Sequence, residues 1–221
     1  FDWLLIDLEH GVGDEMTLVH QLQALSATPA VPLVRIPANE TWRFKRVLDL
    51  GVFGVMVPHV SSAADAEQVA RAMRYPPKGV RGANKSNRAC CFGGKAGDYY
   101  PHANDNLLSI VQIETAEALG NLDAIAAVDG IDVLFVGPLD LSVSMGIEGQ
   151  WDDPEFNKAL EHIADACRKH GKVAGMHAIN TDLLKPTQDL GFTMIGMAVE
   201  SITVTQAMRN LYAQLEVVKK K

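Results

Sequence analysis

The sequence predicts an α/β protein and, within that class, a (β/α)8 TIM barrel. Short apolar runs alternate with helical patterns along the chain, as expected for strands buried on both faces of a parallel sheet. The length of 221 residues suits a single barrel, which commonly has roughly 200–250 residues. Polar residues follow several apolar runs, and the catalytic residues of such barrels lie at the carboxyl ends of the strands. We therefore expect one domain spanning residues 1–221.

Seven strand–helix units can be counted along the chain. The predicted strands cover residues 1–7, 31–37, 54–60, 107–114, 132–137, 172–178 and 192–199. The predicted helices cover residues 14–27, 42–50, 63–73, 116–128, a stretch after residue 138, then 154–170, 181–190 and 201–218. A barrel needs an eighth unit, and the abrupt start inside a strand suggests that the first strand and helix lie upstream. The domain is therefore expected to be N-terminally incomplete.

A doubly wound open sheet is the alternative fold. That fold should carry a glycine-rich phosphate turn after its first strand, and HGVG at residues 10–13 does not have that pattern. Residues 75–106 interrupt the strand–helix rhythm with glycine, proline and asparagine, which predicts a functional loop or lid. Arg81 is expected to anchor this segment, and a role in binding the distal end of an acidic substrate is the alternative.

Composition argues against several classes of partner. The formal net charge of -7 disfavours nucleic acid and acidic membranes. No apolar run is long enough to span a bilayer, so we expect a soluble protein. Three cysteines, two of them adjacent, form neither a disulfide framework nor a metal knuckle, which favours the cytoplasm.

The ends of the predicted strands collect polar residues that should meet at one rim. These are Asp7 with His10, Arg35, His59, Gln112 with Glu114, Gly137 with Asp140, His177 and Glu200. The carboxylates of Glu114 and Asp140 favour a hard cation such as Mg²⁺ or Mn²⁺ that keeps waters and takes substrate oxygens. No lysine ends a predicted strand, which disfavours Schiff-base catalysis. A cap or loop role is the alternative for each single residue, and we favour a structural role for His59.

A set of motifs resembles the class II, metal-dependent pyruvate aldolases of the HpcH/HpaI family. They are WLLIDLEHG, VPLVRIP, VLDLG, RYPPKGVRG, VQIETAEALGNLDAI and FVGPLDLSVSMG, and they cover essentially the whole chain in order. The resemblance implies reversible cleavage of a 4-hydroxy-2-oxo acid into pyruvate and an aldehyde through a metal-stabilised pyruvate enolate. The family includes aldolases that act on hydroxy-oxo-heptanedioate and on dehydro-deoxy-glucarate. The resemblance therefore also implies a role in the breakdown of aromatic compounds or sugar acids. It also implies a homo-oligomer, hexameric or dimer-based.

The resemblance also implies roles for individual residues. Glu114 and Asp140 match the metal ligands, Gln112 lies beside the metal, and Arg35 faces the keto oxygen of pyruvate. His10 matches the catalytic histidine, with Asp7 as its orienting acid. Asp49 matches an acid contributed by a neighbouring subunit, and a salt bridge within its own helix is the alternative. The turn formed by Gly137, Pro138, Leu139 and Asp140 is expected to bind the substrate carboxylate, because it opens a helix and the backbone N–H groups at a helix N-terminus favour anions.

Two other functions stay open from the sequence. The same site could decarboxylate oxaloacetate or condense the enolate with another electrophile, or the chain could be a non-catalytic barrel that binds 2-oxo acids. The motifs leave the aldehyde open, and oxygen ligands also accept Co²⁺.

Overall fold

The fold was analysed in a computed structural model that describes residues 1–178 and 181–219, with side chains up to residue 215. Seven parallel strands form one curled sheet, and their spatial order follows the chain. The strands are β1 Trp3–Asp7, β2 Val31–Arg35, β3 Gly54–Val57, β4 Leu108–Ile113, β5 Val133–Val136, β6 Val173–His177 and β7 Met194–Gly196. This half-barrel confirms the predicted parallel α/β architecture, while the upstream strand–helix unit remains a prediction.

Ten α-helices are assigned in the described residues. They are α1 Glu15–Leu25, α2 Thr41–Asp49, α3 Ala63–Met73, α4 Ala96–Asn106, α5 Ala116–Gly120, α6 Leu122–Ala126, α7 Pro138–Ser144, α8 Pro154–His170, α9 Leu184–Leu190 and α10 Glu200–Lys219. Side-chain caps account for several starts: Asp14, Ser62 and Thr115 each accept from a backbone N–H of the following helix. The single helix expected over residues 116–128 is two short ones, because Asn121 leaves helical geometry at φ -106 and ψ 8.

Alternation along the strands separates two apolar clusters. The larger cluster lies between the sheet and the helices, and the smaller one fills the concave face. The concave cluster contains Leu33, Met56, Ile110, Val133, Phe135 and Met194. A Cβ placed on Gly196 of β7 would lie 3.4 Å from the ring of Trp3 in β1, so the first and last strands approach each other across this interior. The curl therefore directs the inward residues at the strand ends toward a common mouth.

The segment 75–106 is more ordered than a loop. It contains a 3₁₀ stretch, Arg88–Gly93, and helix α4, which corrects the loop prediction. The helical pattern is hard to see in the sequence because glycines and prolines interrupt it. The 3₁₀ stretch is also irregular, since Cys91 and Phe92 have left-handed backbone conformations. The buried side chain of Arg81 contacts the rings of Tyr75 and Tyr99, with its guanidinium carbon 4.4 Å and 5.7 Å from their centroids. These contacts confirm Arg81 as an anchor of the segment.

Helix α10 stands apart from the apolar core. Within residues 200–215, where its side chains are described, the large apolar side chains are each more than half exposed, including Val204, Met208, Leu211 and Leu215. These four residues recur at intervals of three and four, so they share one helix face. Among the described residues, no helix combines the length and the apolar character needed to cross a membrane.

Candidate active site

The mouth of the half-barrel brings together most of the polar residues that were predicted at strand ends. Asp7 and Arg35 are the last, paired residues of β1 and β2, and both side chains point into the concave side. Gln112 lies in β4, with Glu114 immediately after that strand. Because side chains alternate along a strand, the residues two apart in β4 face the same interior. Hydrogen bonds join these residues across three strands.

A carboxylate–guanidinium cluster forms the first half of the site. Arg35 donates to Asp7 through Nε at 2.8 Å and Nη2 at 2.5 Å, and its Nη1 reaches Gln112 Oε1 at 3.4 Å. The same Nη1 lies 2.9 Å from Glu9 Oε2. Burial raises the pKa of Asp7, but its bonds to Arg35 and to nearby backbone N–H groups outweigh burial and leave that pKa below its ordinary value. The cluster therefore holds Arg35 charged and in a fixed orientation.

Glu114 forms the second half of the site and is 2% exposed. Gln112 Nε2 donates to its Oε2 at 2.8 Å, and the backbone N–H of His59 donates to its Oε1 at 2.7 Å. Burial raises the pKa of Glu114, and the negative charges of Asp140 and Glu9 add to that effect. The carboxylate is thus held in place but lacks a full compensating charge.

The turn after β5 places Gly137 directly against this carboxylate. A Cβ on Gly137 would lie 2.6 Å from Glu114 Oε2, so a larger residue would displace the acid. Pro138 is buried at the first position of α7, while Leu139 and Asp140 in the same turn are exposed. The turn therefore brings Asp140 within electrostatic range of Glu114 and leaves its carboxylate open to solvent.

The His10 side chain is 72% exposed. Asp7 was predicted to orient the imidazole of His10. In the structure the Asp7 carboxylate instead accepts from Arg35 and from the backbone N–H groups of Glu9 and His10. The His10 Nε2 lies 3.9 Å from Glu9 Oε2 instead. Glu9 is thus a site residue that the sequence reasoning missed, although its position two residues after Asp7 in a strand-end loop was a usable signal.

Asp49 lies away from this cluster in the single chain. Its Oδ1 accepts from Arg81 Nη2 at 2.9 Å, and Arg81 Nη1 also donates to the hydroxyl of Tyr99 at 3.1 Å. Arg43 and Arg46, the arginines of the same helix, pair with Glu40 and Glu15 instead. The structural alternative for Asp49 is therefore corrected from a salt bridge within its helix to a tie between α2 and the segment 75–106.

Three histidine and acid positions complete the rim. His59 has a positive φ of 54°, and its ring lies 3.4 Å from Glu114 and 3.7 Å from Glu9, so it contacts the site, which was not the role we favoured. His177 ends β6 and points into the concave side, where burial and then the charge of Arg35 lower its pKa. Glu200 begins α10 and is exposed.

The donor set fits a divalent cation that keeps water or substrate ligands. Asp7, Glu9, Glu114 and Asp140 place four carboxylates at the mouth, whereas Arg35 is the one arginine or lysine paired with them among the described residues. No group of three or more histidine, cysteine, aspartate or glutamate ligands occurs in the described part of the chain. Glu114 and Asp140 could hold Mg²⁺ or Mn²⁺ with few protein ligands, but not a closed structural zinc site.

Known proteins similar to this chain include the members of one family. Residues 1–207 match the family model "HpcH/HpaI aldolase/citrate lyase". A 5-keto-4-deoxy-D-glucarate aldolase from Shigella boydii serotype 18 is 43% identical over 178 residues, which cover 80% of this chain and 69% of that protein. A solved HpcH/HpaI aldolase/citrate lyase family protein from Burkholderia cenocepacia J2315 has a TM-score of 0.92 at 34% identity, covering 98% of this chain and 86% of the other.

A second solved structure, the citrate synthase SbnG, has a TM-score of 0.88 at 27% identity, and the match covers 100% of this chain and 86% of the other. The family match and the aldolase relatives confirm the family predicted from the motifs, and with it a carbon–carbon lyase. The chain belongs to the HpcH/HpaI aldolase/citrate lyase family.

Proposed function

We propose that this protein is a class II aldolase that reversibly cleaves a 4-hydroxy-2-oxo acid into pyruvate and an aldehyde. One observation carries the proposal: Arg35 and Gln112 are held in place beside the buried carboxylate of Glu114, whose negative charge is not fully compensated by its neighbours. An aldol cleavage develops negative charge on the former keto oxygen as the enolate forms. A preorganised cation at that oxygen lowers the barrier most, because its orientation costs nothing during the reaction.

Arg35 supplies that fixed charge. Its Nε and Nη2 are bonded to Asp7, which leaves Nη1, near Gln112 and Glu9, directed toward the mouth. The keto oxygen of a bound 2-oxo acid would accept from this edge, while its carboxylate would meet the backbone N–H groups of Leu139 and Asp140. Asp7 keeps the guanidinium in place throughout.

His10 is the proposed base for the C4 hydroxyl. Its exposed imidazole lies beside the cluster, with Nε2 3.9 Å from Glu9 Oε2. An imidazole near neutral pH can accept the hydroxyl proton directly or through one water as the carbon–carbon bond breaks, and return it in the addition direction.

A divalent cation, Mg²⁺ or Mn²⁺ in this proposal and Co²⁺ as a further candidate, would be held by Glu114 and Asp140. When bound it supplies a Lewis-acidic charge beside the oxygens of the 2-oxo acid. Burial raises the pKa of Glu114, the charges of Asp140 and Glu9 add to that effect, and the cation would offset both.

The proposal includes a homo-oligomer in the cytoplasm. The apolar face of α10, made by Val204, Met208, Leu211 and Leu215, is exposed in the single chain and suits a second copy. Asp49 would then act at a neighbouring subunit's site, from the position where Arg81 holds it. The three cysteines are free, in keeping with a reducing compartment.

The test is pyruvate release from a panel of 4-hydroxy-2-oxo acids, with the protein stripped of metal and then reconstituted with Mg²⁺, Mn²⁺ or Co²⁺. His10→Ala should slow cleavage by about 10²–10⁴-fold, the usual range for a positioned base. Arg35→Ala should also suppress exchange of the pyruvate methyl protons with deuterated water, because it stabilises the enolate itself. Absence of metal-dependent cleavage and exchange in the wild-type protein would reject the function.

Oxaloacetate decarboxylation, or condensation of the enolate with another electrophile, is the second candidate. The structural similarity to a citrate synthase favours keeping it, since that protein's name implies a different electrophile on the same fold. Faster pyruvate formation from oxaloacetate than from every aldol substrate in the panel would favour decarboxylation.

A further inference from the structure

His177 presents a buried polar atom to the barrel mouth that the proposed chemistry does not use. It is the last residue of β6, and its Nε2 is buried without a hydrogen-bond partner among the described residues. Native proteins leave few buried polar atoms unpaired, because each loses its bonds to water and gains none in return. An unpaired atom at the end of a barrel strand is therefore in the position of a ligand-binding group.

The surroundings of His177 leave room for a ligand. Val136 of β5 pairs with Met176 of β6, so the next residue, Gly137, lies beside His177. On the other side, His177 pairs with Gly196 of β7. Neither glycine has a side chain to satisfy the imidazole or to fill the space next to it. A Cβ on Gly196 would lie 3.5 Å from His177 Cδ2 and 3.7 Å from the ring of Phe135, so aromatic carbon forms the floor. Among the described residues, the last residues of β5, β6 and β7 are Val136, His177 and Gly196, and of these only His177 has a side chain that can form hydrogen bonds.

The charge environment restricts what this imidazole can bind. Burial disfavours protonation of the imidazole, and the positive charge of Arg35 acts in the same direction, so both lower the pKa of His177. A neutral imidazole donates from one nitrogen and accepts at the other, so it suits a neutral group. A hydroxyl both donates and accepts, whereas a carboxylate would favour the cationic form.

We infer that His177 is a specificity-determining residue whose Nε2 hydrogen-bonds the hydroxyl of a 2-hydroxyaldehyde in the aldol reaction. The inference rests on the proposed function, and it concerns the aldehyde half of the substrate. Arg35, Gln112, Glu114 and Asp140 are assigned to the 2-oxo acid half.

The test compares two aldehydes that differ by one hydroxyl group, glycolaldehyde and acetaldehyde, as acceptors for pyruvate in the metal-reconstituted protein. The measured quantity is the ratio of their kcat/KM values. His177→Leu should lower the glycolaldehyde-to-acetaldehyde ratio about five- to tenfold, the factor expected for one lost neutral hydrogen bond. His177→Gln, which can place a polar atom near the position of Nε2, should recover most of the ratio. The control His162→Leu, on an exposed position of α8, should leave the ratio at its wild-type value.

A stability measurement separates ligand binding from a structural role. Without ligand, His177→Leu should melt at or above the wild-type temperature, because leucine removes an unpaired polar atom from an aromatic floor. A lower melting temperature together with an unchanged ratio would overturn the inference in favour of a structural histidine. If the wild-type protein adds both aldehydes and His177→Leu has the same ratio as the wild type, this inference alone is overturned. No metal-dependent pyruvate exchange in the wild type would instead overturn the proposed function, and this inference with it.

Discussion

Asp7 and Arg35 show how one residue pair sets both charge and orientation at the mouth. The two hydrogen bonds between them stabilise the ionised carboxylate, so the pKa of Asp7 lies below its ordinary value of 3.8 in the folded protein. A carboxyl group with a lowered folded-state pKa stabilises the fold above its unfolded pKa, and this contribution disappears as the pH falls through the folded value.

Asp7→Asn should therefore destabilise the protein in a pH-dependent way. At pH 7 we expect a loss of about 1–2 kcal/mol in the free energy of unfolding, since a partly buried charged hydrogen-bond pair is broken. As the pH falls below 3.8 the difference from wild type should shrink, because the unfolded state takes up the Asp7 proton first, and it should vanish below the lower folded-state pKa, where both states are protonated. Urea unfolding at a series of pH values measures this difference, and a constant difference across the acid range would contradict the assignment.

Glu9 and His59 mark the limit of reading single residues from sequence. Both lie close to the carboxylates of the site, yet Glu9 was not among the predicted strand-end residues and His59 was expected to be structural. His59 reaches Glu114 because its backbone adopts a left-handed conformation after Pro58, and such a conformation is rare for residues other than glycine. Their roles depend on loop conformation, which hydrophobic periodicity does not encode.

At the level of elements, the segment 75–106 is tied to the barrel through one buried side chain. Arg81 joins Asp49 of α2 to Tyr75 and Tyr99, and its side chain is fully buried. Within the segment, the side chain of Asn104 accepts from the N–H of Tyr75 and donates to its carbonyl oxygen, which joins the two ends of the segment. Such contacts explain why 32 residues with few apolar runs still fold into defined structure.

Arg81→Met should weaken this segment. The substitution removes both charged hydrogen bonds and keeps most of the side-chain volume, so we expect a loss of about 2–4 kcal/mol in the free energy of unfolding. Lys78→Met, in the same segment, is the matched control because its ion pair with Asp105 is exposed and should contribute about 0–1 kcal/mol. Urea unfolding compares the two variants, and equal losses would show that Arg81 is not the anchor.

At the scale of the whole molecule, the curled parallel sheet positions the site and α10 leaves an apolar face exposed. A helix face of this kind is stable in water when another surface covers it. Met208→Asp with Leu211→Asp should therefore dissociate the proposed oligomer, as measured by sedimentation velocity. Gln206→Glu, a polar position on another face of α10, is the control and should leave the assembly intact. An unchanged sedimentation coefficient in the double variant would exclude this face as the interface.

The same assembly can be tested through the site. If Asp49 completes a neighbouring subunit's site, mixing inactive His10→Ala and Asp49→Ala proteins and letting subunits exchange should restore part of the activity. Wholly intrachain sites would give no recovery.

The amino-acid pattern was sufficient for the parallel α/β architecture, for the family and for the strand-end residues Asp7, Arg35, Gln112 and Glu114. Strands buried on both faces leave continuous apolar runs, and parallel strands necessarily bring their carboxyl ends to one side. Tertiary structure alone decided the partners: Arg35 takes the Asp7 carboxylate that was assigned to His10, Arg81 takes Asp49, and His177 is left with an unpaired nitrogen. These pairings join residues far apart in the chain, so they follow from strand register and loop conformation, which no local sequence pattern records.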